Sequence, residues 1–92
     1  MNQAILSGEI VRVREFNTGE HKLKAFTLKT VQQFKDREKV DYVPCKAWNK
    51  DISLQDGMTI LVRGTIGQSK REKEGKTIYE TEVTVQEINV II

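Results

Sequence analysis

Cysteine, proline, histidine and tryptophan each occur once in these 92 residues. A single cysteine, Cys45, excludes an internal disulfide framework and makes a reducing cytoplasm the expected location. His21 stands alone beside a turn, with no second ligand at metal-binding spacing, so no metal site is expected. The chain also lacks a glycine-rich phosphate cradle and a Ser/His/Asp set. Glu80 and Glu82, two apart, are expected on a solvated or interfacial face rather than as an acid–base pair. No enzyme activity and no cofactor are therefore expected. No apolar run approaches the length needed to cross a bilayer. The opening Met1-Asn2-Gln3-Ala4-Ile5-Leu6 has no basic region and no long apolar core, so a strand beginning at once is expected rather than a signal peptide.

The net charge is +2 and unevenly spread. Residues 22–50 hold eight Lys/Arg against three acids, whereas residues 1–21 sum to −1 and residues 51–92 to −2. The basic middle also carries Phe34, Tyr42 and Trp48. Charge alone is equally compatible with ordinary solubilisation of a small surface.

β-branched residues are abundant and turn signals separate the runs, which predicts an all-β fold. The first strand is expected from Ala4 to about Glu15, with a bulge or sharp bend at Gly8. Asn17-Thr18-Gly19 is the expected turn. The second strand covers Lys22 to about Gln33, with Phe26 and Leu28 inward. Lys35 to Lys39 forms a charged hairpin tip. The third covers Val40 to Trp48, with Val43, Cys45 and Ala47 inward. Pro44 predicts a bulge or slip there and disfavours a central place in the sheet. Asp51 to Leu54 is expected to make at most one helical turn. The fourth strand runs from Met58 to Ile66, with Met58, Ile60, Val62 and Ile66 on one face. A charged arm, Gly67 to Lys76, leads to the fifth, Thr77 to Ile92, with Tyr79, Val83 and Val85 on one face and a switch near Ile88. These five strands with two long hairpin arms and a very short or missing helix predict one domain over 1–92, a Greek-key barrel of the OB-fold type.

The third run carries the chemistry. Even spacing puts Tyr42, Lys46, Trp48 and Lys50 on one face of an extended strand. Rings alternating with ammonium groups suit single-stranded nucleic acid, which offers bases to stack and phosphates to neutralise. A lone Trp is also compatible with core packing, and Phe34 with a simple hydrophobic anchor. Lys70, Arg71 and Lys73 on the arm, and Lys35 and Arg37 on the other tip, are candidate phosphate contacts. Their alternation with acids equally fits solvated loops.

Four segments resemble bacterial single-stranded DNA-binding proteins: Asn2 to Ile10, Ala25 to Thr30, Gly57 to Ile66 and Tyr79 to Val85. They cover nearly the whole chain in order. The resemblance implies stacking aromatics at Phe34, Tyr42 and Trp48. It also implies one aromatic in the arm, where Lys70 or Arg71 stands instead. It further implies single-stranded DNA as ligand, roles in replication, recombination or repair, and a homodimer or homotetramer paired through the first strand. The apolar run Ile88 to Ile92 fits a covered surface better than a free tail. The shortened helix and an end at Ile92, without the family's linker and acidic tip, also make the chain similar to the primosomal replication protein PriB. That likeness implies an adaptor for a helicase or primosome. An OB module for RNA or protein is the remaining alternative, because stacking and phosphate contacts are common to DNA and RNA.

Overall fold

A computed structural model describes residues 1–92. Five strands run in chain order: β1 Ala4–Thr18, β2 His21–Gln33, β3 Glu38–Trp48, β4 Thr59–Lys73 and β5 Lys76–Val90. They close a barrel in the order β1-β2-β3-β5-β4. All neighbours are antiparallel except β3 and β5, which pair in parallel at Cys45↔Val83 and Lys46↔Thr84. No helix long and apolar enough to cross a membrane is present.

The inward sets follow from strand alternation. Ile10, Phe26, Leu28, Cys45, Ala47, Ile60, Val62, Val83 and Val85 are all buried. Leu54, from the connector between β3 and β4, joins them. The connector forms no helix, within the expected range of one turn or none, and runs irregularly to a turn at Asp56–Gly57. It is stitched to β1 instead: the Val13 amide donates to Asp56 Oδ1 at 3.0 Å, and the Gly57 amide to the Ile10 carbonyl at 2.8 Å. With its donors satisfied by a strand, and Leu54 inserted in the core, the segment needs no helix of its own.

Several local features depart from the sequence reading. The first turn lies at Gly19–Glu20, with Thr18 still paired to His21, because Gly19 supplies the left-handed residue (φ 63°). Gly8 is not a bulge. A side chain there would meet the Lys29 carbonyl, so glycine serves close approach between β1 and β2. The β1 bulge falls at Arg12–Val13, where Arg12 has φ 61°. Pro44 causes no slip; β3 holds one continuous register with β2 from Glu38 to Trp48. The proline is tolerated because β5 pairing starts only at Cys45, leaving the preceding edge of β3 open.

β4 and β5 continue past the barrel as a regular hairpin arm turning at Glu74–Gly75. Ile66 and Tyr79 have the inward parity expected of them, but they lie outside the barrel and are 48% and 61% exposed. The expected switch near Ile88 is present. Gln86 is skipped in the ladder between Arg63↔Glu87 and Gly64↔Val85, which turns Ile88 back toward the core. Gly64 lies at this shift, where any side chain would strike the Thr84 carbonyl.

Candidate nucleic-acid interface

The registers of β1, β2 and β3 define an outer face in rows. The first row is Phe16, Leu23 and Trp48; the next is Arg14, Ala25 and Lys46. Val11, Thr27 and Pro44 follow, and then Glu9, Lys29 and Tyr42. None of these twelve residues is buried, whereas the alternating set beneath them forms the core. Successive rows along β3 are about 6.8 Å apart, which separates Trp48 from Tyr42 by about 20 Å. Ala25, Val11, Thr27 and Pro44 in the middle rows are small, and Arg14 and Lys46 stand on either side of Ala25. Trp48 is 45% and Tyr42 62% exposed, so neither ring is core.

The bulge at Arg12–Val13 shapes this face. Without it, Arg12 and Arg14 would share the inward parity of Ile10. Arg12 and Val13 together stand opposite Phe26, and this one extra residue returns Val13 to the core side and brings Arg14 out beside Ala25. Arg12, Arg14 and Phe16 were not singled out from sequence, because a bulge is not legible in an alternating pattern. Lys29 was missed for a weaker reason: inward Phe26 and Leu28 already imply an outward Lys29.

A groove runs between this face and the arm. Its walls include Arg12, Arg14, Ala25, Thr27, Pro44 and Lys46 on one side and Ser69, Arg71, Glu80 and Glu82 on the other. Two ion pairs cross or line it. Lys46 Nζ lies 3.0 Å from Glu82 Oε2, and Arg71 Nη2 lies 2.8 Å from Glu80 Oε1. Pro44 also borders a second open cleft, of about 560 Å³, which adjoins Tyr42, Ile5 and Thr81. Pro44 thus lines both concavities.

The remaining expected residues are placed as follows. Phe34 sits in the β2–β3 loop, which is closed by its amide donating to the Arg37 carbonyl at 2.8 Å. The Arg37 guanidinium covers one side of the Phe34 ring at 5.5 Å, and Lys35 is exposed at the same tip. Lys50 does not share the face of Tyr42, Lys46 and Trp48. The strand ends at Trp48, and Asn49 takes a left-handed turn (φ 54°). Asn49 is held there by the Lys22 amide, which donates to its Oδ1 at 2.9 Å. Lys50 instead joins Lys22, Lys24, Glu15, Glu20 and Asp51 in a polar hollow. In that hollow the Lys24 ammonium donates to the Ile52 carbonyl.

Lys70 and Arg71 are also separated. Successive strand residues face opposite ways, so Arg71 faces the groove and Lys70 faces away, opposite Tyr79 in the ladder. Lys73 has the parity of Arg71, at the tip. Outside the barrel, the β5 side of the arm holds one ring, Tyr79, which shares the face of Lys70 and so points away from the groove. It was hidden because its alternation with Val83 and Val85 looked like core.

A closed five-stranded barrel with an aromatic and cationic face beside a hairpin arm has the OB-fold architecture used for binding oligonucleotides. A model of the Single-strand binding protein family matches residues 1–91, and the chain belongs to that family. It is 26% identical to the single-stranded DNA-binding protein of Staphylococcus epidermidis, over 96% of this chain and 74% of that protein. In fold it is similar to a deletion mutant of the single-stranded DNA binding protein from Thermus aquaticus. The TM-score is 0.82 at 23% identity, over all of this chain and 51% of that one, so the chain spans about half its length. It is also similar to Plasmodium falciparum SSB in complex with ssDNA, with TM-score 0.84 at 18% identity, over all of this chain and 96% of that one.

Proposed function

We propose that residues 1–92 form one domain that binds single-stranded DNA with little sequence preference, as a protector or organiser of exposed strands in replication, recombination or repair. The supporting observation is the row arrangement: exposed rings at both ends of a face about 20 Å long, with Arg14 and Lys46 between them and Lys29 beside Tyr42. Bases stack on Trp48 and Tyr42, and cations beside the path take phosphates. Phe34, Lys35 and Arg37 extend the track at the β2–β3 tip, and Arg71 and Lys73 flank it from the arm. Stacking reads a π-face that every base has, so sequence preference is weak. No catalytic step is involved, and a cytoplasmic location goes with this role.

The same reading includes a homodimer or homotetramer. Ile5 and Leu61 are exposed on the outer face of β1 and β4, a surface that a second copy would cover. Ile91 and Ile92 are tied to Thr59 by backbone hydrogen bonds of 2.8 to 3.2 Å, yet their side chains stay exposed. Light scattering at micromolar concentration is expected to give a multiple of the chain mass; a monomer would remove this part of the proposal.

The direct test is fluorescence anisotropy with labelled oligo-dT, oligo-U and a duplex of equal length. Binding of oligo-dT well above duplex, weakening as salt rises, is the expected result. Preference for duplex or for oligo-U would contradict it.

A further inference from the structure

Every cation facing the groove would serve a phosphate, but two of them are already engaged. Lys46 is held by Glu82 at 3.0 Å and Arg71 by Glu80 at 2.8 Å. The Glu82 side chain is only 15% exposed, which makes it the most covered carboxylate among the ion pairs. Arg12 and Arg14, on the opposite wall, have no ion-pair partner. Four cations thus share the groove with two carboxylates, and both carboxylates come from β5 at the foot of the arm. Alternation explains their placement: Glu80 and Glu82 take the groove-facing parity of Ser69 and Arg71.

We propose that Glu80 and Glu82 are resident competitors for the DNA phosphates. Resting on the strand-binding reading, the inference assigns them a brake on affinity. A phosphate reaching Lys46 or Arg71 must displace a carboxylate or share the donor with it. A phosphate that stays between the groove walls also feels the repulsion of both anions. The same groups favour release, because each cation regains a partner as the phosphate leaves. The groove is thereby set for exchange of strands rather than for the tightest hold.

The test titrates oligo-dT, across a range of salt, into the full chain, the Glu80→Gln/Glu82→Gln variant and Glu72→Gln. Glu72 lies on the arm face away from the groove, so its substitution makes a single charge change without opening an ion pair in the groove. The double variant is expected to bind at least about fivefold more tightly, since one unit charge at contact distance in water is worth about 1 kcal/mol. Its salt dependence is expected to steepen by about 0.7 per cation freed. Glu72→Gln is expected to change affinity less than about twofold, as an exposed charge on the opposite face of the arm acts on the groove only through screening solvent. Unchanged or weaker binding by the double variant overturns the proposal and leaves the ion pairs as supports for the arm. Equal tightening by Glu72→Gln, charge for charge, overturns it too. Glu80→Gln alone, at the more exposed pair, is expected to tighten binding in the same sense if the double variant does not fold. No binding by the unsubstituted chain defeats the strand-binding reading itself; binding without tightening in the variant defeats only this inference.

Discussion

The β1–β2–β3 face and the β4–β5 arm border the same groove with opposite chemistry. On the face, Trp48 and Tyr42 stand exposed, and Arg14 and Lys29 have no carboxylate partner. On the arm's groove side, Arg71 is already paired, and the only ring, Tyr79, faces away. A base can stack on the face without displacing anything but water. A phosphate reaching Arg71 must exchange with a carboxylate. The comparison assigns affinity to the face and adjustment to the arm.

The rings provide the largest break in that comparison. Trp48→Ala and Tyr42→Ala are each expected to cost about 1–3 kcal/mol of oligo-dT binding. Tyr79→Ala, on the far side of the arm, is expected to change it little. Anisotropy titrations of the three variants check this order.

The second break is structural. Gly64 is buried in the barrel, paired with Ala4 of β1 and Val85 of β5, with no room for a side chain beside the Thr84 carbonyl. Gly64→Ala is expected to destabilise the fold by about 1–3 kcal/mol, as overpacking of a close contact does. Gly67→Ala, three residues further out, meets nothing within 4 Å and is expected to be mild. Urea unfolding of both variants measures the difference.

A finer comparison sets Arg14 against Arg71. Removing Arg14 is expected to lower the salt slope of binding by about 0.7, the value of one lost phosphate contact on a single strand. Removing Arg71 also frees Glu80, so its slope change is expected to be smaller while affinity still falls. Equal slopes for the two variants would erase the distinction between face and arm.

The smallest expected effect concerns the floor beneath the face. Burial pushes the Cys45 thiol up from 9.0 to about 12. Native protein is therefore expected to resist alkylation at Cys45 until it unfolds. The unfolded thiol ionises at lower pH than the folded one. Its contribution to stability is thus complete below about pH 9 and is lost as pH rises toward about 12. Thiol labelling followed by mass spectrometry, with and without denaturant, checks the accessibility.

How far the sequence was legible can be stated in the same terms. Strict alternation identified Phe26, Leu28, Cys45, Ala47, Ile60 and Val62 as inward, and the structure buries them all. Alternation failed wherever a strand changed parity or outran the barrel. The bulge at Arg12–Val13 hid Arg14 and Phe16 from the face. The arm gave Ile66 and Tyr79 core parity with no core to enter. Lys50 was misplaced because one left-handed residue, Asn49, ends the strand before it. Pairings between distant segments, such as Lys46 with Glu82, depend on barrel closure and have no local signature.

The central claim, that bases lie on the ring at the end of β3, has a direct reporter because Trp48 is the only tryptophan. The measurement is its intrinsic fluorescence during titration with oligo-dT, with duplex as control. Deep quenching by oligo-dT alone, with a midpoint that moves to higher concentration as salt rises, is the predicted result. Salt-sensitive binding seen by anisotropy with no change in Trp48 emission would contradict the account. It would move the strand off the face and onto the arms.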